Sequence, residues 1–368
     1  MQLRLWRHFD FLLLFTTFAL LGLGMALIYS ATWGGKPGWP EDDTIYRQAA
    51  YAATGTLLML AAILVDYRLV GTVAWPLYIV CLGLLALVLV GGQSSYGAQR
   101  WLDLKLFPLQ PSELAKLALI IAMAKYLARH EGEMGRFRHV LGSLIILAPP
   151  AGLILAQPSL GTAVVLMVIW FAMMVTAGIR FRHILILGLI AAAASPALWV
   201  LMPDYQRERV LQFFAQGGSD PLGDDYNIRQ AIISIGSGGV WGRGYLGGSQ
   251  SQLHFLRVRH TDFVFSVLAE ELGFVGALVL LGLFLVLLWR SLRVATLSQD
   301  AFGRFLAVGI ASHIMFQAFV NVGMNVRLLP VVGMPLPFVS SGGSSLITAL
   351  FSVGLLQSVV MRHRRLEF

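Results

Sequence analysis

Residues 262–289 read DFVFSVLAEELGFVGALVLLGLFLVLLW, a run in which only Asp262, Glu270 and Glu271 are charged. A helix crosses a bilayer with roughly 20 apolar residues. The run is therefore expected to be a membrane span, entered from the polar stretch His260-Thr261-Asp262. A carboxylate where the chain re-enters lipid is expensive, and such groups default to a functional reading.

Outward from this span the same pattern repeats. The 368 residues are 57% hydrophobic and 12% charged, about half the charge of a soluble domain, which is roughly a quarter. Mean hydropathy is +0.73. Ten apolar stretches are expected to span, near 11–31, 47–65, 72–91, 112–129, 139–156, 160–177, 184–202, 262–289, 302–325 and 341–361. The fold class expected is an all-α polytopic membrane protein. Residues 1–368 form one integral membrane domain, with a large outer loop, 203–261, between the seventh and eighth spans.

The net charge of +8 raises nucleic acid as a partner. The basic residues are scattered over short loops, however, and do not cluster with aromatics, which argues against it. Their distribution follows the positive-inside rule. One side carries Arg68, Arg129, Arg136, Arg180, Arg290, Arg304 and Arg362, and the other Lys36, Arg100, Lys105 and Arg327. Both termini are thus expected in the cytoplasm. The first apolar run leads into a Gly/Trp/Pro loop without a cleavage pattern and is expected to remain as a span. A single cysteine, Cys81, excludes an intrachain disulfide.

The 203–261 loop is too long to be a plain connection. Its glycine-rich stretch, Gly236 to Gly248, permits tight turns and close backbone approach to a ligand. Residues 211–216 are amphipathic enough to lie at the interface.

Four groups of residues could carry chemistry. Asp262 suits either a helix cap or a proton acceptor at a helix start. Glu113 and Lys116 share one face of the fourth span at i, i+3 spacing, after Gln110-Pro111-Ser112. They read either as a cap with a lysine snorkelling outward or as a charged pair facing an outer cavity. Arg47 and Arg100, with Trp101, read either as interfacial anchors or as an anion site. Glu270 and Glu271 cannot both easily avoid lipid, so pairing with a cation or protonation is expected. Broken backbone at Gly333–Phe338 and Gly342–Ser345 suits either helix packing or a cavity lining. The eight histidines show no zinc spacing, and no P-loop or dinucleotide motif is present.

Several of these segments, in order along nearly the whole chain, resemble the SEDS family. They are Gly97-Ala98-Gln99-Arg100-Trp101-Leu102-Asp103-Leu104, Gln110-Pro111-Ser112-Glu113-Leu114-Ala115-Lys116, Ile235-Gly236-Ser237-Gly238-Gly239, His260-Thr261-Asp262-Phe263 with Ala269-Glu270-Glu271-Leu272-Gly273, and Pro335-Leu336-Pro337-Phe338 with Gly342-Gly343-Ser344-Ser345. Gly248–Leu256 resembles the cell-elongation branch more than the division branch.

The resemblance implies a peptidoglycan glycosyltransferase of the bacterial inner membrane with ten spans. It would polymerise lipid II into glycan strands on the outer face. Implied partners are a class B penicillin-binding protein that supplies the transpeptidase, lipid II and the lipid-linked glycan, and other elongation-machinery proteins. A divalent cation, Mg or Mn, is the implied cofactor. The family's essential aspartate matches Asp262, an activity-linked residue matches Trp101, and a polar pair of the central cavity matches Glu113 and Lys116. The sequence departs from the family at Ser159, where aspartate is usual, at Arg257-Val258 before His260, and at Arg327, where glycine is common. A lipid II flippase, a scaffold for the transpeptidase and a division paralogue are the alternatives.

Overall fold

The computed structural model describes residues 8–33, 43–95, 98–103, 108–201, 207, 224–253, 255–256 and 259–362. The protein is mostly helical. Its elements are α1 (Phe11–Thr32), α2 (Thr44–Leu64), α3 (Tyr67–Thr72), α4 (Ala74–Gly91), β1 (Gln93–Ser95), β2 (Ala98–Asp103), β3 (Pro108–Leu109), α5 (Pro111–Arg129), α6 (Phe137–Ala156), α7 (Leu160–Thr176), α8 (Phe181–Leu201), α9 (Asp224–Gly238), α10 (Ser249–Gln252), α11 (Val264–Leu297), α12 (Ala301–Asn325) and α13 (Gly343–Met361).

Every stretch expected to span is helical, with ends shifted by a few residues. Among the described residues six helices, α1, α4, α6, α11, α12 and α13, are long and apolar enough to cross a membrane. Helix α5 carries Glu113 and Lys116 in its interior and is buried along most of its length. It is an inner helix, shielded from lipid by protein, so its polarity costs less than its sequence suggests. The tight Gln157-Pro158-Ser159 connection does separate two helices. The Gln157 amide group donates to Leu85 O at 2.8 Å, which fixes the turn to α4. Ser159 is the N-cap of α7, with its hydroxyl 2.9 Å from Thr162 Oγ1.

The expected all-α architecture is mostly but not wholly found: between α4 and α5, β1, β2 and β3 form a small antiparallel sheet in the order β1-β2-β3. Residues 203–261, too long for a plain connection, contain α9 and α10. Helix α9 buries Asn227, Ala231 and Ser234 and exposes Ile232 and Ile233. Its small and polar face packs inward, the pattern of membrane helix packing. Residues 211–216, Arg257 and Val258 lie outside the described residues.

The glycine-rich stretch meets protein backbone. Helix α11 is broken at Gly273, where φ is 66° and ψ is −163°. In an unbroken helix Phe274 N and Val275 N would donate to Glu270 O and Glu271 O. Here those carbonyls accept from Arg243 N and Gly244 N at 3.0 Å each, and the two freed amides donate to Gly239 O at 2.9 Å and Val240 O at 3.2 Å. The turn thus gives all four freed groups a partner, with four hydrogen bonds in place of two. A Cβ on Gly242 would stand 2.1 Å from Glu271 O, so only glycine fits.

At the opposite end, ion pairs join helix ends. Arg290 reaches Asp10, the α1 N-cap, at 2.6 Å, and Arg68 reaches Asp300, the α12 N-cap, at 3.1 Å.

Candidate active site

Asp262 lies in the turn that precedes α11 and is half-buried. The helix N-cap is Phe263, whose side chain makes no capping hydrogen bond. Asp262 is therefore one residue outside the cap position that one reading gave it. Neighbouring backbone holds the turn. Ser340 Oγ donates to Thr261 O at 2.5 Å, and Ser341 N donates to His260 O at 2.8 Å. From α12, Asn321 Nδ2 and Asn325 Nδ2 donate to Asp262 O at 3.1 and 3.0 Å.

The 326–342 segment that leads into α13 is irregular, and it packs against this turn. Gln48 of α2 reads its end through Nε2 to Ser340 O at 3.3 Å and through Oε1, which accepts from Gly342 N at 3.3 Å. Gln110, the N-cap of α5, donates its amide to Ser344 Oγ at 3.0 Å. The starts of α2, α5, α11 and α13 therefore meet at one end of the bundle. Helix N-termini carry partial positive charge and favour anions.

The residues expected at the site fall into three groups. Arg47 is exposed on the first turn of α2, next to Gln48, and so belongs to this end. Trp101 is half-buried on β2, paired across the sheet with Gln93, and Arg100 occupies the preceding position, its side chain outside the described residues. The Glu113–Lys116 pair is the third group. Lys116 Nζ lies 2.7 Å from Glu113 Oε1, and both side chains are almost fully buried. The lysine does not snorkel to the surface.

Helix α12 connects the pair to the aspartate. Lys116 Nζ donates to Gln317 Oε1 at 3.4 Å, and His313 Nε2 lies 2.8 Å from the same oxygen. One turn onward, Asn321 holds the Asp262 carbonyl. His313, Gln317, Asn321 and Asn325 are all buried. Sequence reasoning missed these four and Gln48. The signal was there: four polar residues at a spacing of four in an otherwise apolar span form a stripe on one helix face.

Glu270 and Glu271 are both fully buried, because the outer turn covers their side of α11. Among the described residues neither glutamate forms an ion pair with a cation; both accept hydrogen bonds instead. Glu270 accepts from Gln250 N at 2.8 Å and Ser251 N at 3.2 Å, and Ser30 Oγ donates to Glu271. Both glutamates fasten the outer segment. Tyr245 on that segment donates to Ala26 O at 2.9 Å, and burial, with Glu271 nearby, raises its pKa.

A family model for FtsW/RodA/SpoVE, described as a cell cycle protein, matches residues 11–365. The peptidoglycan glycosyltransferase MrdB of Escherichia coli K12 is 41% identical over 360 residues, covering 98% of this chain and 95% of its own. Stage V sporulation protein E of Bacillus subtilis is 38% identical over 358 residues, covering 95% and 96%. Among solved structures, the fold is similar to a chain described under "Structural coordination of polymerization and crosslinking by a peptidoglycan synthase complex", with a TM-score of 0.83, 35% identity and coverage of 96% and 98%. It is also similar to the rod shape determining protein RodA of Thermus thermophilus, with a TM-score of 0.71, 34% identity and coverage of 97% and 98%. With sequence and structure both matched over nearly its whole length, this multi-pass membrane protein belongs to the FtsW/RodA/SpoVE family, the SEDS proteins that its motifs resemble.

Proposed function

We propose that this chain is a peptidoglycan glycosyltransferase that polymerises lipid II at the outer face of the bacterial inner membrane during cell elongation. The observation that carries the reading is the placement of Asp262. It is a half-buried carboxylate outside a helix cap, at the end of the bundle where four helix starts meet. The chain's similarity to a named peptidoglycan glycosyltransferase supports the same reading.

The chemistry follows from the substrate class. A sugar hydroxyl of the acceptor attacks the anomeric carbon of the donor, and the bond to the lipid diphosphate breaks. The diphosphate leaves with the bonding electrons. The hydroxyl is a poor nucleophile, so its proton must be taken, and Asp262 is the group positioned to take it. An α-linked donor and a β-linked product require one inverting displacement without a covalent enzyme intermediate. The charge that develops on the diphosphate falls where helix dipoles are positive. Arg47, Arg100, Trp101, Glu113 and Lys116 are the proposed substrate-binding residues. Lys116, fixed beneath the surface by Glu113, would act as a held positive charge.

A divalent cation belongs to the proposal as a charge neutraliser at the diphosphate. Among the described residues no three His, Cys, Asp or Glu side chains converge to hold a metal. The ion would thus rest on Asp262 and on the diphosphate itself, since Mg²⁺ usually takes one or two carboxylates plus substrate phosphates.

Ten spans, cytoplasmic termini and an outer position for residues 203–261 complete the reading, with a class B penicillin-binding protein and elongation-machinery proteins as partners. The test is reconstitution with a class B penicillin-binding protein and labelled lipid II, with moenomycin present to silence classical glycosyltransferases. Wild type should give polymer and Asp262→Ala none, with the complex intact. Full polymerisation by Asp262→Ala would sink the assignment.

A further inference from the structure

The Asp262 turn is held by a closed set of buried amides, and their geometry does more than satisfy hydrogen bonds. Asn321 and Asn325 are both fully buried. Each donates through Nδ2 to the same carbonyl, Asp262 O. Asn325 Nδ2 also donates to Asn321 O at 2.8 Å, and its Oδ1 accepts from Ser266 Oγ at 2.6 Å. Ser266 lies on the first turn of α11 itself, so it fixes which way the Asn325 amide points.

Asn321 Nδ2 has a second acceptor, Met334 O, at 2.7 Å. One amide group therefore bridges the Asp262 turn and the irregular segment across from it. The residue before Met334 is Gly333, at φ +64°. A Cβ there would stand 3.6 Å from Asp262 Oδ2. The carboxylate thus lies against Gly333, and Asn321 ties the two segments together.

We propose that Asn321 and Asn325 are positioning residues for Asp262. Their amides set where the Asp262 carboxylate stands against Gly333. This rests on the reading of Asp262 as the proton acceptor. A base works only within about 2.6–3.2 Å of the proton it takes, and a displacement of about 1 Å can cost on the order of a hundredfold in rate. Two donors on one carbonyl, braced by Ser266 and Met334, restrict that displacement. The asparagines touch no substrate in this account and act only through the turn.

The test uses the full chain with its class B penicillin-binding partner and labelled lipid II. Asn321→Ala, Asn325→Ala, Ser266→Ala and Asp262→Ala are measured for kcat, KM and thermal midpoint. In the asparagine variants kcat should fall about tenfold or more while KM stays within about twofold, the pattern of a lost transition-state arrangement. Ser266→Ala should lower kcat less, and should add nothing on top of Asn325→Ala, because both act through one amide. Wild-type kcat in the folded asparagine variants, beside an inactive Asp262→Ala, would overturn the inference and leave the Asp262 reading standing. A loss of folded protein with unchanged kcat per folded molecule would overturn it too. If neither asparagine variant folds, Ser266→Ala decides: lowered kcat supports the positioning role, and unchanged kcat ends it. Activity in Asp262→Ala would instead remove the reading on which the inference rests.

Discussion

Lys116 has 1% of its surface exposed, and an ammonium so placed survives only with a partner. Glu113 supplies one at 2.7 Å. The two are mutually dependent: removing either from a buried pair strands the other, at a cost of about 3–5 kcal/mol. Lys116→Met should therefore lower the thermal midpoint in detergent sharply, and Glu113→Gln in the same chain should recover part of the loss. A Lys116→Met protein as stable as wild type would show that the pair is solvated. Arg327 illustrates the opposite economy. It sits at φ +59°, in the left-handed region where a side chain costs about 1–2 kcal/mol. Glycine relieves that strain, in keeping with the glycine that the resemblance leads one to expect here. Arg327→Gly should raise stability by about 1 kcal/mol, read from chemical unfolding in detergent. A fall in stability would mean that the arginine side chain's own contacts outweigh the strain.

Helix α11 behaves as two helices joined through another segment. Its upper part, Val264 to Leu272, carries the Asp262 turn. Its lower part begins at Phe274, whose amide donates to Gly239 O rather than to Glu270 O. The 238–244 turn is the continuity between them, and Glu270 and Glu271 bind the outer segment from the same place. Gly242→Ala would push a methyl to within 2.1 Å of Glu271 O at a position whose φ is +80°. The strain of a positive φ and two lost backbone hydrogen bonds together cost about 2–4 kcal/mol. Hydrogen exchange should then speed up at the amides of Arg243, Gly244, Phe274 and Val275 together, with α13 unchanged. Independent exchange at these four sites would show that they do not open as one unit.

Across the whole molecule, hydropathy makes a helix visible in each of the ten expected stretches, because lipid demands long apolar runs. What it hid depends on protein–protein contact inside the bundle. Helix α9 turns small and polar residues inward and Ile232 and Ile233 outward, so the soluble-protein pattern misleads. The Gln93–Leu109 sheet is too short and polar to stand out. The bond between Glu270 and the backbone of Gln250 and Ser251 joins positions about 20 residues apart, and no local pattern announces it. Asp262, Glu113 and Lys116 were legible as chemistry. The stripe of His313, Gln317, Asn321 and Asn325 is legible as spacing, but only when the four are read together as one face of a helix. One global property follows from charge alone. Gln299 and Leu328 flank α12, whose 25 residues extend about 37 Å at 1.5 Å per residue, against a hydrocarbon core of about 30 Å. Arg290, Arg293 and Arg304 surround Gln299, so the positive-inside rule predicts that it faces the cytoplasm and that the Asp262 end faces outward. In a chain whose Cys81 has been replaced by serine, Leu328→Cys should react with an impermeant maleimide in intact spheroplasts. Gln299→Cys should react only after the membrane is opened. The reverse pattern would put the meeting point of the helix starts on the cytoplasmic side, and outer-face polymerisation by this site would then be impossible.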